Sequence, residues 1–244
     1  MSELGYLDFH THILPGVDDG SKSEDMTKEM LRMAYQQGVR TMLATSHNYP
    51  GKENASAEKL TELCGVVQAW AKEIGEDFKI LPGNEIFYRK SVCEELEDGQ
   101  VLTLGGSNYV LIEFSPYEKF SKIYDGMKEL VNNGYYPVVA HMERVECLLT
   151  KPEHVKDLIK LGCYIQVNCE SLFGGLFDST TSKVLKYMKN GCVHFLGSDC
   201  HNLKSRAPVM QDCVKRLYKK LPKDVVDKIL YYNQQRFLEG KYIK

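Results

Sequence analysis

The sequence predicts an α/β chain built as a closed, barrel-like ring of parallel strands wrapped in helices. Three observations point there. Seven short runs are apolar nearly throughout, as parallel strands covered on both faces are. Helical patterns stand between them, so consecutive strands are joined by crossovers and run parallel. Strand after strand ends in a polar residue: His10 with His12, then His47, Glu85, Glu113, His141, Asn168, and finally Asp199 with His201. Packing does not call for polar stops at so many strand ends, whereas a site gathered on the C-terminal rim of a parallel barrel does. An open doubly wound sheet is the competing architecture.

Strands are expected over residues 4–9, 41–45, 78–83, 109–114, 136–140, 163–167 and 193–197. At the end of the first, period-two alternation sends His10 and His12 out of one face, which is how a pair of metal ligands is built. The first helix opens at Ser23, a suitable N-cap, carries Glu24 and Asp25 in its first turn and closes at Gly38. Further helices are expected over 55–74, 90–97, 119–133, 152–161, 180–189, 205–221 and 222–237, with Pro152 and Pro222 in first turns, where a missing N–H costs nothing. Residues 48–57, polar and containing Pro50-Gly51, read as a mobile loop, and Gly174-Gly175 as a second; both follow strand ends and so border a substrate. No repeat, low-complexity tract or linker divides the 244 residues, which are read as one domain over 1–244.

A net charge of -2 with scattered Lys and Arg leaves no electrostatic footprint for nucleic acid or an anionic membrane. The N-terminus has no apolar stretch of signal-peptide length and the apolar runs are strand-sized, so a cytoplasmic protein without membrane insertion is expected. Eight cysteines without a Cys-x-x-Cys pair read as reduced thiols, and without a cysteine cluster they give neither a structural zinc nor an iron–sulfur site. His154 at a helix start and His194 inside a strand read as structural. Trp70 reads as packing, and Lys215, Arg216, Lys219 and Lys220 as a solvated helix face.

Imidazoles and carboxylates without thiolate suit Mn(II), Fe(II), Zn(II) or Mg(II). Arg144, three residues after His141, and Arg206, five after His201, reach the same mouth, where a guanidinium matches phosphate bidentately. Cys200 and Arg206 also satisfy Cys-x5-Arg, the spacing of thiol-dependent tyrosine phosphatases. That chemistry needs a glycine-bearing loop of backbone amides, and no glycine lies between the two.

His10-Thr11-His12 runs into Ile13-Leu14-Pro15-Gly16-Val17-Asp18-Asp19-Gly20-Ser21. Thr45-Ser46-His47, Gly83-Asn84-Glu85, Glu113, His141-Met142-Glu143-Arg144 and Gly197-Ser198-Asp199-Cys200-His201 follow. In this order and spacing the motifs resemble those of the PHP (polymerase and histidinol phosphatase) superfamily over almost the whole chain. More narrowly they resemble the bacterial manganese-dependent protein-tyrosine phosphatases of the CpsB/YwqE type. Val145 departs from the pattern, since relatives often carry an aromatic or polar residue there.

The resemblance implies a distorted (β/α)7 TIM-like barrel of the PHP type holding two or three divalent ions, Mn(II) foremost. One would be held by His10, His12, Glu85 and Asp199. A second would be held by bridging Glu85 with Glu113 and His141, and a third by Asp19, His47 and His201, with Asp18 as the alternative to Asp19. It further implies Arg144 and Arg206 on the substrate and, with Asp199, in catalysis. The reaction would be hydrolysis of phosphotyrosine on a bacterial tyrosine autokinase by metal-activated water, in the control of capsular or exopolysaccharide synthesis. The competing readings are a small-molecule phosphoesterase such as histidinol phosphatase, a nuclease, and a metal-bound regulatory module without turnover.

Overall fold

The strands pair in chain order, each parallel to the next: β1 (Tyr6–Thr11), β2 (Val39–Asn48), β3 (Lys79–Phe87), β4 (Tyr109–Glu113), β5 (Tyr136–Val139), β6 (Tyr164–Asn168) and β7 (Phe195–Gly197). The computed structural model describes residues 5–175 and 178–243, so Leu4, where the first strand is expected to begin, lies outside them. Just beyond β7 the ring closes on β1. The Asp199 N–H donates to the His10 carbonyl at 2.8 Å, and the His12 N–H donates to the Cys200 carbonyl at 3.0 Å. An open sheet would leave both edges unpaired.

Alternation along each strand divides the barrel interior into an apolar floor and a polar rim. Leu43 is followed two residues at a time by Thr45 and His47, Tyr109 and Leu111 by Glu113, Tyr164 by Gln166 and Asn168, and Phe195 by Gly197 and Asp199. The floor is aromatic, with the Phe9 ring stacked on Phe195 at 3.9 Å and Phe237 edge-on at 5.0 Å. In β1 the register shifts between Asp8 and Thr11. That irregularity lets His10 and His12 sit above Phe9 inside the ring, where strict alternation would have opposed them to it.

The outward strand faces are covered by α1 (Glu24–Gln36), α2 (Ala57–Ile74), α3 (Val92–Glu97), α4 (Phe120–Asn132), α5 (Glu146–Thr150), α6 (Pro152–Leu161), α7 (Ser179–Lys189) and α8 (Met210–Lys220). Ser23 caps α1 as expected, its hydroxyl accepting the Met26 N–H at 3.2 Å, and Gly38 takes φ +88° just past the helix end.

The helix expected over 205–221 begins only at Met210, because Pro208 disfavours helical Ala207 and the Arg206 carbonyl turns back to accept the His201 N–H at 2.8 Å. The run expected over 222–237 is α9 (Lys223–Asp227), a π-helical turn (Lys228–Tyr232) and α10 (Asn233–Leu238), with Pro222 as its N-cap rather than in the first turn. Among the described residues no helix is long and apolar enough to cross a membrane.

The chain after α10 folds under the floor, where the Tyr109 hydroxyl donates to the Lys241 carbonyl at 2.8 Å and the Ile243 N–H donates to the Tyr164 hydroxyl at 3.0 Å. At the rim, the missing side chain of Gly197 makes room for a ligand candidate, since a Cβ there would lie 2.5 Å from the Cβ of His10. Gly197→Ala should therefore cost roughly 1–3 kcal/mol in a denaturant titration, the usual penalty for overpacking. An unchanged midpoint would contradict the close approach.

Candidate metal centre

Glu85, at the inner face of β3, is buried to 1% exposure with four imidazoles around it. Its carboxylate lies 3.1 Å from His10 Nε2, 3.3 Å from His12 Nε2, 2.8 Å from His47 Nδ1 and 2.7 Å from His141 Nε2. Burial pushes the Glu85 carboxyl up, but the charges and hydrogen bonds of His10, His12 and His141 outweigh it and hold it well below the carboxylate range. Burial likewise opposes a proton on His12, yet hydrogen bonds to Asp18, Asp199 and Glu85 lift its pKa well above the usual value. Elsewhere on the rim the balance runs the other way, since burial and the Glu85 charge raise Glu113, and burial and His12 lower His201 to about 4.

Several rings are oriented from behind. The Nδ1–H of His10 donates to Gln166 Oε1 at 3.3 Å, that of His12 to Asp18 Oδ2 at 2.9 Å, and that of His201 to the Asp199 carbonyl at 2.9 Å. Each bond fixes the tautomer that leaves the Nε2 lone pair facing inward, as outer partners do for ligating histidines. The Nε2 atoms of His10 and His12 accordingly stand 3.1 Å apart, aimed at common space.

The fit to a cation rests on atoms that the rest of the protein leaves without hydrogen bonds. Buried and unpartnered are Glu113 Oε2 and His141 Nδ1, while Glu85 Oε2, His47 Nδ1 and His201 Nε2 have only other donor candidates of the cluster within reach. Such a collection is costly to bury unless something positive sits among it. Nitrogen and oxygen donors without thiolate suit a borderline or hard divalent ion. Two non-glycine residues have positive φ among the described residues, His141 at 29° and Asp199 at 54°. Both belong to this cluster, where backbone strain of about 1–3 kcal/mol per residue is held by the surrounding structure.

The nine sequence-derived ligand candidates lie in one cluster, but the groups close enough to share an ion differ from the expected partition and leave out Asp199 and His141. His12 joins Asp19, His47 and His201; His10, His12 and Glu85 form a second group; and His47, Glu85 and Glu113 a third. His12 and His47 therefore bridge sets that the family pattern keeps apart. His141 meets Glu85 as expected, with Glu113 Oε1 at 3.6 Å. The two adjacent aspartates differ in their surroundings. Asp18 is spent on His12, on the Gly20 N–H at 2.9 Å and on the His47 N–H at 3.1 Å. Asp19 Oδ1 lies 3.2 Å from His47 Nε2 and 3.3 Å from His201 Nε2.

Arg144 and Arg206 converge as expected, and on one carboxylate. Their Nη2 atoms lie 2.9 Å from Asp199 Oδ2 and 2.6 Å from Asp199 Oδ1. Asn168 donates to the same Oδ2 at 2.8 Å, while Glu143 accepts the Asn168 N–H at 2.8 Å and the Ser171 hydroxyl at 2.6 Å. Cys200 is fully buried and burial pushes its thiol far up, so the Cys-x5-Arg spacing is accidental.

The sequence pattern gives no role to Gln166 or Tyr49, and marks Asn168 only as a polar strand end and Glu143 only as part of a motif. Period-two placement above Tyr164 is the available signal for Gln166 and Asn168. The loop over 48–57 is not loose. Asn54 accepts the Tyr49 N–H at 2.9 Å and donates to the Tyr49 carbonyl at 2.7 Å.

A parallel barrel with a His, Asp and Glu cluster at its C-terminal rim is an α/β barrel carrying a candidate metal centre. The comparisons give the family: a model described as capsular polysaccharide synthesis, CpsB/CapC, matches residues 6–239, and the chain belongs to that family. It is 34% identical over 242 residues to the tyrosine-protein phosphatase CpsB of Streptococcus pneumoniae, covering 97% of this chain and 100% of that protein. It is 33% identical over 203 residues to the tyrosine-protein phosphatase YwqE of Bacillus subtilis, covering 82% and 79%.

Crystal structures of YwqE from Bacillus subtilis and CpsB from Streptococcus pneumoniae, described as unique metal-dependent tyrosine phosphatases, superpose with a TM-score of 0.89 at 29% identity, covering 98% and 96%. A phosphotriesterase homology protein from Escherichia coli shares the fold alone, with a TM-score of 0.62 at 12% identity over 97% of this chain and 99% of that one.

The two histidines outside the cluster are structural. His154 stacks on Phe120 at 3.7 Å. His194 accepts the Ile165 N–H on Nδ1 at 3.1 Å, and burial, with Lys228 nearby, lowers its pKa to about 4. An unfolded chain takes up that proton near pH 6.5. The neutral ring's contribution is therefore complete above about pH 6.5 and is lost as pH falls towards 4, a drop of roughly 2–3 kcal/mol. Denaturant titrations across that window should show His194→Asn losing most of this slope; parallel wild-type and variant curves would contradict it.

Proposed function

We propose that the chain, acting as one catalytic domain over 1–244, is a metal-dependent protein-tyrosine phosphatase with Mn(II) as its working cation. Its proposed substrate is the phosphotyrosine of a bacterial tyrosine autokinase in capsular or exopolysaccharide synthesis. The observation that carries the reading is the pair of guanidiniums meeting on Asp199 at the edge of the imidazole and carboxylate cluster. Eight cysteines without a disulfide support a cytoplasmic setting.

The proposed ligands are His10, His12, Asp19, His47, Glu85, Glu113, His141, Asp199 and His201. Divalent ions bound there supply Lewis acidity towards a phosphoryl oxygen and lower the pKa of water. The protein's own groups do the rest. Gln166 and Asp18 keep His10 and His12 in the tautomer whose Nε2 is a free donor. Arg144 and Arg206 each have N–H groups beyond the one spent on Asp199, and these neutralise charge spreading over the equatorial phosphoryl oxygens. A phenolate, with a conjugate acid of pKa about 10, departs with less help from a general acid than a serine alkoxide does.

Chelation should abolish hydrolysis of a phosphotyrosine peptide and Mn(II) should restore it, with Cys200→Ser behaving as wild type; activity that survives chelation but dies in Cys200→Ser would reinstate thiol chemistry. Histidinol phosphate and a dinucleotide diester assayed alongside should be poorer substrates, and a preference for either would overturn the tyrosine assignment. Arg206→Ala should weaken inhibition by inorganic phosphate about tenfold or more, as loss of a charge-assisted hydrogen bond does. An unchanged inhibition constant would remove Arg206 from the clamp.

A further inference from the structure

Beside the ligand candidates lies a hollow of about 240 Å³, whose lining includes Asp19, His47, Tyr49 and Lys52 along with the carboxylates of Asp18 and Glu53. Asp19 and His47 belong to the donor cluster, so the hollow opens directly from the reacting centre. Its aromatic wall is Tyr49, whose ring is braced by His47 at 4.8 Å and by Phe87 at 5.4 Å. The ammonium of Lys52 stands over that ring at 4.6 Å, on an exposed side chain. The backbone beneath is clamped, because the Asn54 amide grips both the N–H and the carbonyl of Tyr49 and also donates to the Lys52 carbonyl at 3.2 Å. A surface loop without a task has no need of an aromatic residue held this firmly at the edge of a polar centre.

We propose that Tyr49 is a specificity-determining residue and that this hollow is the slot for the aryl leaving group, a proposal that rests on the phosphatase reading above. The ring of an incoming aryl phosphate packs on Tyr49 in the place now held by the Lys52 ammonium, which swings out towards solvent. Aliphatic phosphomonoesters gain nothing from that wall. Selection between phosphotyrosine and phosphoserine is thus made by ring packing beside the metal ligands, in addition to leaving-group chemistry.

The test uses competitive inhibition of phosphotyrosine-peptide hydrolysis by phenylphosphonate and by methylphosphonate, in the manganese-loaded wild type, Tyr49→Leu and Tyr49→Phe. The wild type should bind the phenyl compound more tightly. Tyr49→Leu should weaken phenylphosphonate by about threefold to tenfold, the range an aromatic pair contributes, and leave methylphosphonate unchanged. Tyr49→Phe should keep the preference. No phenyl preference in the wild type, or equal weakening of both inhibitors in Tyr49→Leu, overturns the slot while the phosphatase reading stands. A manganese-loaded wild type that does not hydrolyse the peptide overturns both.

Discussion

The structure depends on one buried carboxylate. Glu85 is placed where water cannot solvate it, and desolvating an ionised carboxylate costs several kcal/mol unless the surroundings compensate. Compensation comes from imidazoles at the ends of β1, β2 and β5, none of them close to β3 in sequence. The barrel must therefore close before the charge is stabilised. One Glu85 oxygen is shared by His10, His12 and His47, within 3.3 Å of all three rings, so the charge is held in common by two strands.

The fold meets that demand by dividing each strand between two tasks. Lower positions fill the ring with aromatic and aliphatic side chains, and the next inward positions carry donors. Behind the donors stand groups that orient them: Asp18 holds His12, Gln166 holds His10 and also accepts the His141 N–H at 2.6 Å, and Asn168 holds Asp199. Positive φ at His141 and Asp199 concentrates strain where side chains must turn inward at abrupt angles. Sites assembled this way trade stability for a preset geometry.

Much of this was legible in the sequence because buried parallel strands and their polar ends are local patterns. All seven strands form in the expected order, some with shifted ends such as β1 at Tyr6–Thr11 and β7 at Phe195–Gly197, and the nine candidate ligands share one rim. What was not legible depends on relations between strands. The irregularity in β1 that brings both imidazoles above Phe9 has no signature in Asp8-Phe9-His10, and the bridging positions of His12 and His47 follow from barrel curvature. Asn54 holding Tyr49 is a side-chain-to-backbone contact across a loop, invisible to periodicity, so a polar stretch with Pro50-Gly51 read as loose. The late start of α8 has a local signal in Pro208.

The measurement that bears most directly on the role of Glu85 is a titration of the metal-free protein with Mn(II), counting bound ions per chain in the wild type and in Glu85→Gln, with circular dichroism to show that both are folded. Glu85 as the shared anionic hub predicts two or three ions per wild-type chain, and at least one lost or weakened a hundredfold when the charge is removed. A folded Glu85→Gln protein that binds the full complement with unaltered affinity would contradict it.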